Sequence, residues 1–196
     1  MANRNTQGFG LIAQGTVGST MASQGQGKYL IDAGMGVDLF QGTAVRSAAG
    51  YIVTAQAAIT NTCIGVLNGI FYNDATTKKP TFANFYNQPI TPANSEDITA
   101  FVIDNPNQLF VASIDAAAAQ AEYGKTYGLT VTAAGSEISG QSSSELTYAT
   151  RHATNNQWRL VRTAEDPENN DIAAANCSVV VAHNLNQYFT GAVSWA

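Results

Sequence analysis

The chain has 196 residues, a formal net charge of -5 and only 12% charged residues, where an ordinary soluble domain carries roughly 25%. With 9 basic against 14 acidic residues, this composition excludes a chain disordered by high net charge. It also excludes a nucleic-acid partner, which would need a basic surplus against phosphates. A solitary monomer kept apart by surface charge is disfavoured too, so the bland surface suits a protein packed against other proteins.

By length this is one domain, or one domain with an appendage. Residues 1–30 are rich in Gly, Gln, Ser and Thr and carry isolated apolar positions at Phe9, Leu11, Ile12, Val17 and Tyr29. Apolar residues this sparse cannot close a core of their own. The pattern predicts an extended N-terminal arm over 1–30 that gains order by lying on another surface. A β domain then fills 31–196. The opening Met-Ala-Asn-Arg-Asn-Thr does not read as a signal peptide, and no run approaches the ~18 apolar residues of a span, so no membrane partner is expected.

From Tyr29 onward, short apolar runs recur between turn residues. They lie at Leu30-Ile31, Val37 to Phe40, Thr43 to Arg46 and Tyr51 to Thr54. Further runs follow at Cys63–Tyr72, Thr81–Tyr86, Ile98–Ile103 and Gln108–Ile114, and then at Thr126–Thr132, Gln157–Thr163 and Cys177–His183. In one of them Thr99, Phe101 and Ile103 alternate with Ala100 and Val102. Many short strands between Gly- and Asn-rich turns predict a mainly β fold, a β-barrel or β-sandwich. One short helix is expected: Asp115 caps the alanine run Ala116 to Ala121 and Gly124 stops it. Cys63 and Cys177 each sit in an apolar run and are expected as buried free thiols.

Chemistry-bearing motifs are scarce. His152 and His183 are the only histidines, with no cysteine at metal-ligand spacing, so neither a metal nor another cofactor is expected. His183 reads as a structural residue at a strand end and His152 as an exposed loop residue. No Gly-x-Ser-x-Gly elbow, P-loop or dinucleotide fingerprint is present. Glu165, Asp166, Glu168 and Asp171 miss the EF-hand spacing and read as a solvated loop. Phe71-Tyr72, Phe82, Phe85-Tyr86, Phe101 and Phe110 read as core filling, with Tyr72, Tyr86 and Tyr188 as alternative interface anchors. No catalytic constellation emerges, and the chain is not expected to be an enzyme.

Several segments together resemble a known family. They are Gly8-Phe9-Gly-Leu-Ile, Tyr29-Leu-Ile-Asp-Ala, Leu39-Phe-Gln-Gly-Thr-Ala-Val45 and Gly65-Val-Leu-Asn-Gly69. The likeness continues through Asp104-Asn-Pro-Asn-Gln-Leu-Phe110, Gly140-Gln-Ser-Ser-Ser-Glu-Leu146, Gln157-Trp-Arg-Leu-Val-Arg162 and Val179 to Asn184. In order, they resemble the capsid decoration, or cement, proteins of tailed phages. The resemblance implies a non-enzymatic virion protein on the outer surface of the capsid, assembled in the host cytoplasm. Its partner would be the major capsid protein, whose subunit contacts it would stabilise as a homo-oligomer, trimer or dimer. In that reading Phe9, Leu11, Ile12, Val17 and Tyr29 are the partner-binding residues of the arm. Gly42-Thr43-Ala44-Val45 stands where relatives often carry a more charged loop, and so departs from the family pattern. Two alternatives suit the same composition: a tail or fibre module, and a carbohydrate-binding β-module.

Overall fold

The computed structural model describes residues 2–18, 25–55, 62–130 and 135–188. In chain order, its strands are β1 (Ile12–Thr16), β2 (Gly27–Ile31), β3 (Ala44–Ala48), β4 (Tyr51–Thr54) and β5 (Gly65–Asn73). They continue with β6 (Pro80–Ala83), β7 (Ile98–Ile103), β8 (Gln108–Ile114), β9 (Thr126–Leu129), β10 (Gly135–Ser136) and β11 (Gln141–Ser142). The last three are β12 (Leu146–His152), β13 (Trp158–Thr163) and β14 (Cys177–His183). The fold is mainly β, as the alternation predicts. In β7, for example, Ile98, Ala100 and Val102 are buried while the residues between them are half-exposed, which is the period of two of a strand with one face on a core.

Five strands close a barrel in the order β8-β12-β9-β13-β14 and back to β8. The last seam is short. β12 meets β8 in parallel only at Leu146 and Ile114, where the Asp115 N–H donates to the Leu146 carbonyl at 3.0 Å. Inside are Phe110, Tyr127, Leu146, Trp158, Leu160 and Val181, all with negligible exposure. Trp158 meets Phe110 edge-on at 5.4 Å between ring centroids, a favoured aromatic geometry.

A second sheet runs β2-β7-β5-β3-β4, with β6 on the far part of β5. Its own core holds Ile31, Leu39, Val45, Ile52, Leu67 and Ile98 among others. The two cores share a wall. Ala44 and Val66 face the barrel cluster, whereas their chain neighbours Val45 and Leu67 face the sheet cluster. Successive strand residues point to opposite faces, so β3 and β5 serve both sides at once.

The helix predicted over Ala116–Ala121 is reduced to a single 3-10 turn, Gln120–Glu122. The cause is competition for its groups. The Asp115 carboxylate accepts the Tyr148 N–H at 2.8 Å instead of capping a helix, and the Ala118 N–H donates to the Ile172 carbonyl at 2.8 Å. So short a run gains too little from propagation to outweigh the cost of nucleation.

Candidate functional site

Residues 2–18, the described first part of the arm expected over 1–30, run along the protein's own body, with β1 joining the edge of the barrel sheet. Gly8 passes under the chain leading to β12; a Cβ placed on it would stand 2.2 Å from the Ser143 carbonyl oxygen. Gly10 takes a φ of 77°, left-handed backbone that favours glycine. Its N–H donates to the Ser144 carbonyl at 3.0 Å, and the Leu11 N–H donates to the Gly42 carbonyl at 2.9 Å. The segment therefore ties the loop before β3 to the loop before β12. β1 then pairs antiparallel with β8, Ile12 opposite Val111 and Thr16 opposite Gln108, with a bulge at Gln14. It occupies the edge of β8 that β12 leaves free beyond Ile114.

The acidic loop between β13 and β14 receives the start of this segment. Arg4 pairs with Glu168 at 2.6 Å, and the Asn5 N–H donates to Asn169 Oδ1 at 2.7 Å. The Asn3 side chain donates to the carbonyls of Asp171, Ala174 and Ala175. Sequence reasoning treated this loop as merely solvated; the Asn-x-Asn pattern at Asn3 and Asn5 was the available signal for a polar latch.

The five predicted partner-binding residues end in different environments. Leu11 is 3% exposed and belongs to the barrel core, so its side chain is taken up within the protein itself. Ile12 and Val17 are 47% and 51% exposed. Phe9 is half-buried and lies with Ile12 between two surface grooves of about 370 Å³ and 300 Å³. The larger groove is lined by the apolar Phe9, Ile12, Val111 and Ala164, by the acidic Glu165 and Asp166, and by the polar Asn5, Gln14 and Ser178. Tyr29 lies apart from them on β2. Its hydroxyl donates to Asp104 at 2.8 Å and bonds the Tyr188 hydroxyl, and burial followed by these partners holds its proton far above the usual phenol range. Phe9 and Ile12 are thus brought together at the grooves; Tyr29 is not.

The aromatics also divide. Phe110 and Tyr86 are core residues, as expected. Phe71, Phe82 and Phe101 instead form a rank on the outer face of the second sheet, where Phe82 is 73% exposed. Phe82 stands opposite Phe71 on the neighbouring strand, and the rings lie 4.7 Å apart. Gly69 stands opposite Phe101 at a register shift, where a Cβ would come within 3.0 Å of the Ala83 carbonyl oxygen, and the Phe82 and Phe101 rings lie 6.3 Å apart across β5. Lys28 and Leu30 of β2 extend the same face.

Three other clusters carry reactive groups. Cys63 Sγ lies 3.5 Å from His183 Nδ1. Burial pushes the thiol up to about 12 and the imidazole down to about 4, so at neutral pH both are uncharged and no nucleophilic thiolate forms. Burial alone would raise the Glu122 carboxyl. Hydrogen bonds from Lys125 and Tyr127 and the charges of Lys125 and Arg151 outweigh it and leave the group below its usual range. This is a satisfied ionic knot at the barrel end. Glu145 is raised by burial and then by the Asp115 charge, and accepts the Ser113 hydroxyl at a long 3.4 Å. Cys177, also buried, is pushed up to about 11 and no disulfide joins it to Cys63. His152 ends β12 with its exposed ring accepting backbone N–H groups from Thr154 and Asn155.

Among the described residues no three His, Cys, Asp or Glu side chains are placed to hold a metal ion, and no helix is long and apolar enough to cross a membrane. The N-terminal strap and its flanking grooves, where Phe9 and Ile12 meet, are the candidate site. The chain matches no protein-family model, no curated protein and no solved structure.

Proposed function

We propose that the protein is a structural virion component that binds the outer surface of a phage head and stabilises contacts between major capsid subunits, as a homo-oligomer and without an enzymatic role. The observation that carries this reading is the strap. It is fixed to the body by Leu11, by β1 and by the latch of residues 3–5, yet it holds Ile12 and Val17 out to solvent beside an apolar groove. Exposed apolar side chains on a rigid support mark a contact surface. The low charge of the chain supports the same reading, because a surface with few ions is inexpensive to desolvate against another protein. On a lattice of identical sites, an oligomer gains avidity from modest individual contacts.

In this reading the partner-facing part of the arm is the strap of residues 2–18, tied to the body by β1 and the latch. Deleting it would strip Leu11 from the barrel core, so substitutions give a cleaner test. Ile12→Asp with Val17→Asp leaves Leu11 and the latch in place. Wild-type protein should cosediment with decoration-free heads, and the double variant should bind at least about tenfold more weakly, since two exposed apolar contacts are worth on the order of 1.4 kcal/mol together. Equal binding by the folded double variant would refute the role given to the strap. No cosedimentation of the wild type with any head preparation would refute the capsid reading itself.

A further inference from the structure

Two surface features stand open among the described residues, and their charges are opposite. The first is the groove lined by Phe9, Ile12, Val111 and Ala164 and by the acidic pair Glu165 and Asp166. The second is the β5–β6 hairpin. It presents Phe82 at 73% exposure, three residues after Lys78-Lys79, the only adjacent Lys/Arg pair in the chain. The groove belongs to the barrel and the hairpin to the second sheet.

The charges at both places are available. Among the described residues neither Lys78 nor Lys79 forms an ion pair. The nearby Asp74 carboxylate is taken up by the N–H groups of Thr76 and Thr77 and the Thr77 hydroxyl, although its charge still offsets part of that of Lys78. On the groove side Glu165 meets Arg162 only at 3.6 Å and keeps nine-tenths of its side chain exposed. Asp166 accepts the Glu168 N–H and the Asn169 amide and forms no ion pair among the described residues, while lining the groove.

The hairpin aromatic has ring neighbours on one side. Phe82 lies 4.7 Å from the Phe71 ring and 6.3 Å from the Phe101 ring between centroids, which narrows its freedom before any contact is made. A preorganised aromatic loses little conformational entropy on binding, which is why such side chains dominate protein interfaces.

The geometry points to self-association through these two features: the β5–β6 hairpin of one copy seats Phe82 in the strap groove of a second copy, with Lys78 and Lys79 against Glu165 and Asp166. Because the two surfaces differ, the contact is made either reciprocally across a twofold axis or head to tail around a ring. It deepens the homo-oligomer part of the proposed function: a second copy seated in the groove covers the Ile12 side of the strap and leaves Val17, which does not line the groove, to the capsid. The contact needs no capsid, so isolated protein tests it independently of head binding.

The test is the molar mass of the full chain, read by light scattering over a concentration series. Wild-type protein should form a discrete oligomer at ~50 mM salt and dissociate more readily at ~1 M, where the screening length falls to about 3 Å. Lys78→Glu with Lys79→Glu, and separately Glu165→Lys with Asp166→Lys, should each weaken association about tenfold or more. Combining all four should restore it, because the charges are then exchanged and not lost. Phe82→Ser should abolish association while leaving the thermal transition in place. A wild-type protein that stays monomeric at every concentration overturns the proposal. So do charge reversals that leave the oligomer unchanged, or a fourfold variant that is folded but no better associated than either double variant.

Discussion

Val66 and Leu67 are consecutive residues of β5, yet their side chains lie in different cores: Val66 packs with Phe110 and Val181 of the barrel cluster, Leu67 with Ile31 and Val102 of the other. One stretch of backbone therefore carries load for both sheets. Loosening one core should be felt in the other, because β5 cannot shift on one face alone.

Leu67→Ala should destabilise the protein by about 2–5 kcal/mol, the range for truncating a buried leucine. If the shared wall couples the cores, hydrogen-exchange protection should fall in β14, in the barrel, as well as in β7. Protection lost in the second sheet alone would mean that the two cores unfold independently.

The strap has its own sensitive point. At Gly8 any Cβ meets backbone, the Ser143 carbonyl oxygen at 2.2 Å and that of Ser144 at 2.8 Å, and backbone cannot rotate aside as a side chain can. Gly8→Ala should displace the segment and weaken β1 pairing. The expected result is a thermal midpoint lower by several degrees, on the order of 1–3 kcal/mol of overpacking strain. Faster exchange at residues 9–17 should accompany it. Gly18→Ala is the contrasting control at the far end of the strap: nothing lies within 4 Å of its Cβ, although its φ of 78° makes the backbone mildly strained.

The two thiols give a simple count. Cys63 and Cys177 are buried and unpaired, and burial raises both well above the ordinary thiol range. Since the thiolate is the reacting species, an aromatic disulfide reagent at pH 8 should titrate neither in the native protein. In denaturant it should titrate both. Rapid reaction of one thiol under native conditions would place that residue at a surface that opens on the timescale of the assay.

Much of this architecture was legible because period-two alternation survives wherever one strand face is apolar. β7, β8 and β14 were read nearly to their ends. β12 was missed since its residues after Leu146 are half-buried or exposed and polar, so Thr147, Thr150 and Arg151 gave no apolar rhythm. β1 escapes the same test: Ile12–Thr16 are exposed or half-buried on both faces, and the buried Leu11 before it serves a core made by distant strands, which no local pattern displays. The phenylalanines misled as well. Phe71, Phe82 and Phe101 have the composition of a core, and only the strand register sends them to the outer face. At the candidate site Phe9 and Ile12 were legible as apolar positions in a polar stretch. Val111 and Ala164 were not, because they join the groove through tertiary contact alone.

His183, half-buried but with its ring nitrogen Nε2 shielded from solvent, makes the fold sensitive to mild acid. His183 stacks against Trp158, with ring centroids 4.5 Å apart, and its Nε2 has no hydrogen-bond partner in the described structure. Burial holds its folded value down to about 4, whereas in the unfolded chain it returns to about 6.5. Between those values the unfolded state binds more protons, so stability is fully present above pH 6.5 and is lost as pH falls toward 4. The loss should reach on the order of 2–3 kcal/mol. Glu122, held below its usual range, adds a further loss only under more acid conditions, where carboxylates begin to protonate. His183→Phe, which keeps an aromatic ring beside Trp158 and Phe110, should flatten the stability profile between pH 6.5 and about 4.5 while leaving the steeper acid limb. Denaturant midpoints measured across that range check it. An unchanged slope in the variant would mean that another group governs the mild-acid loss.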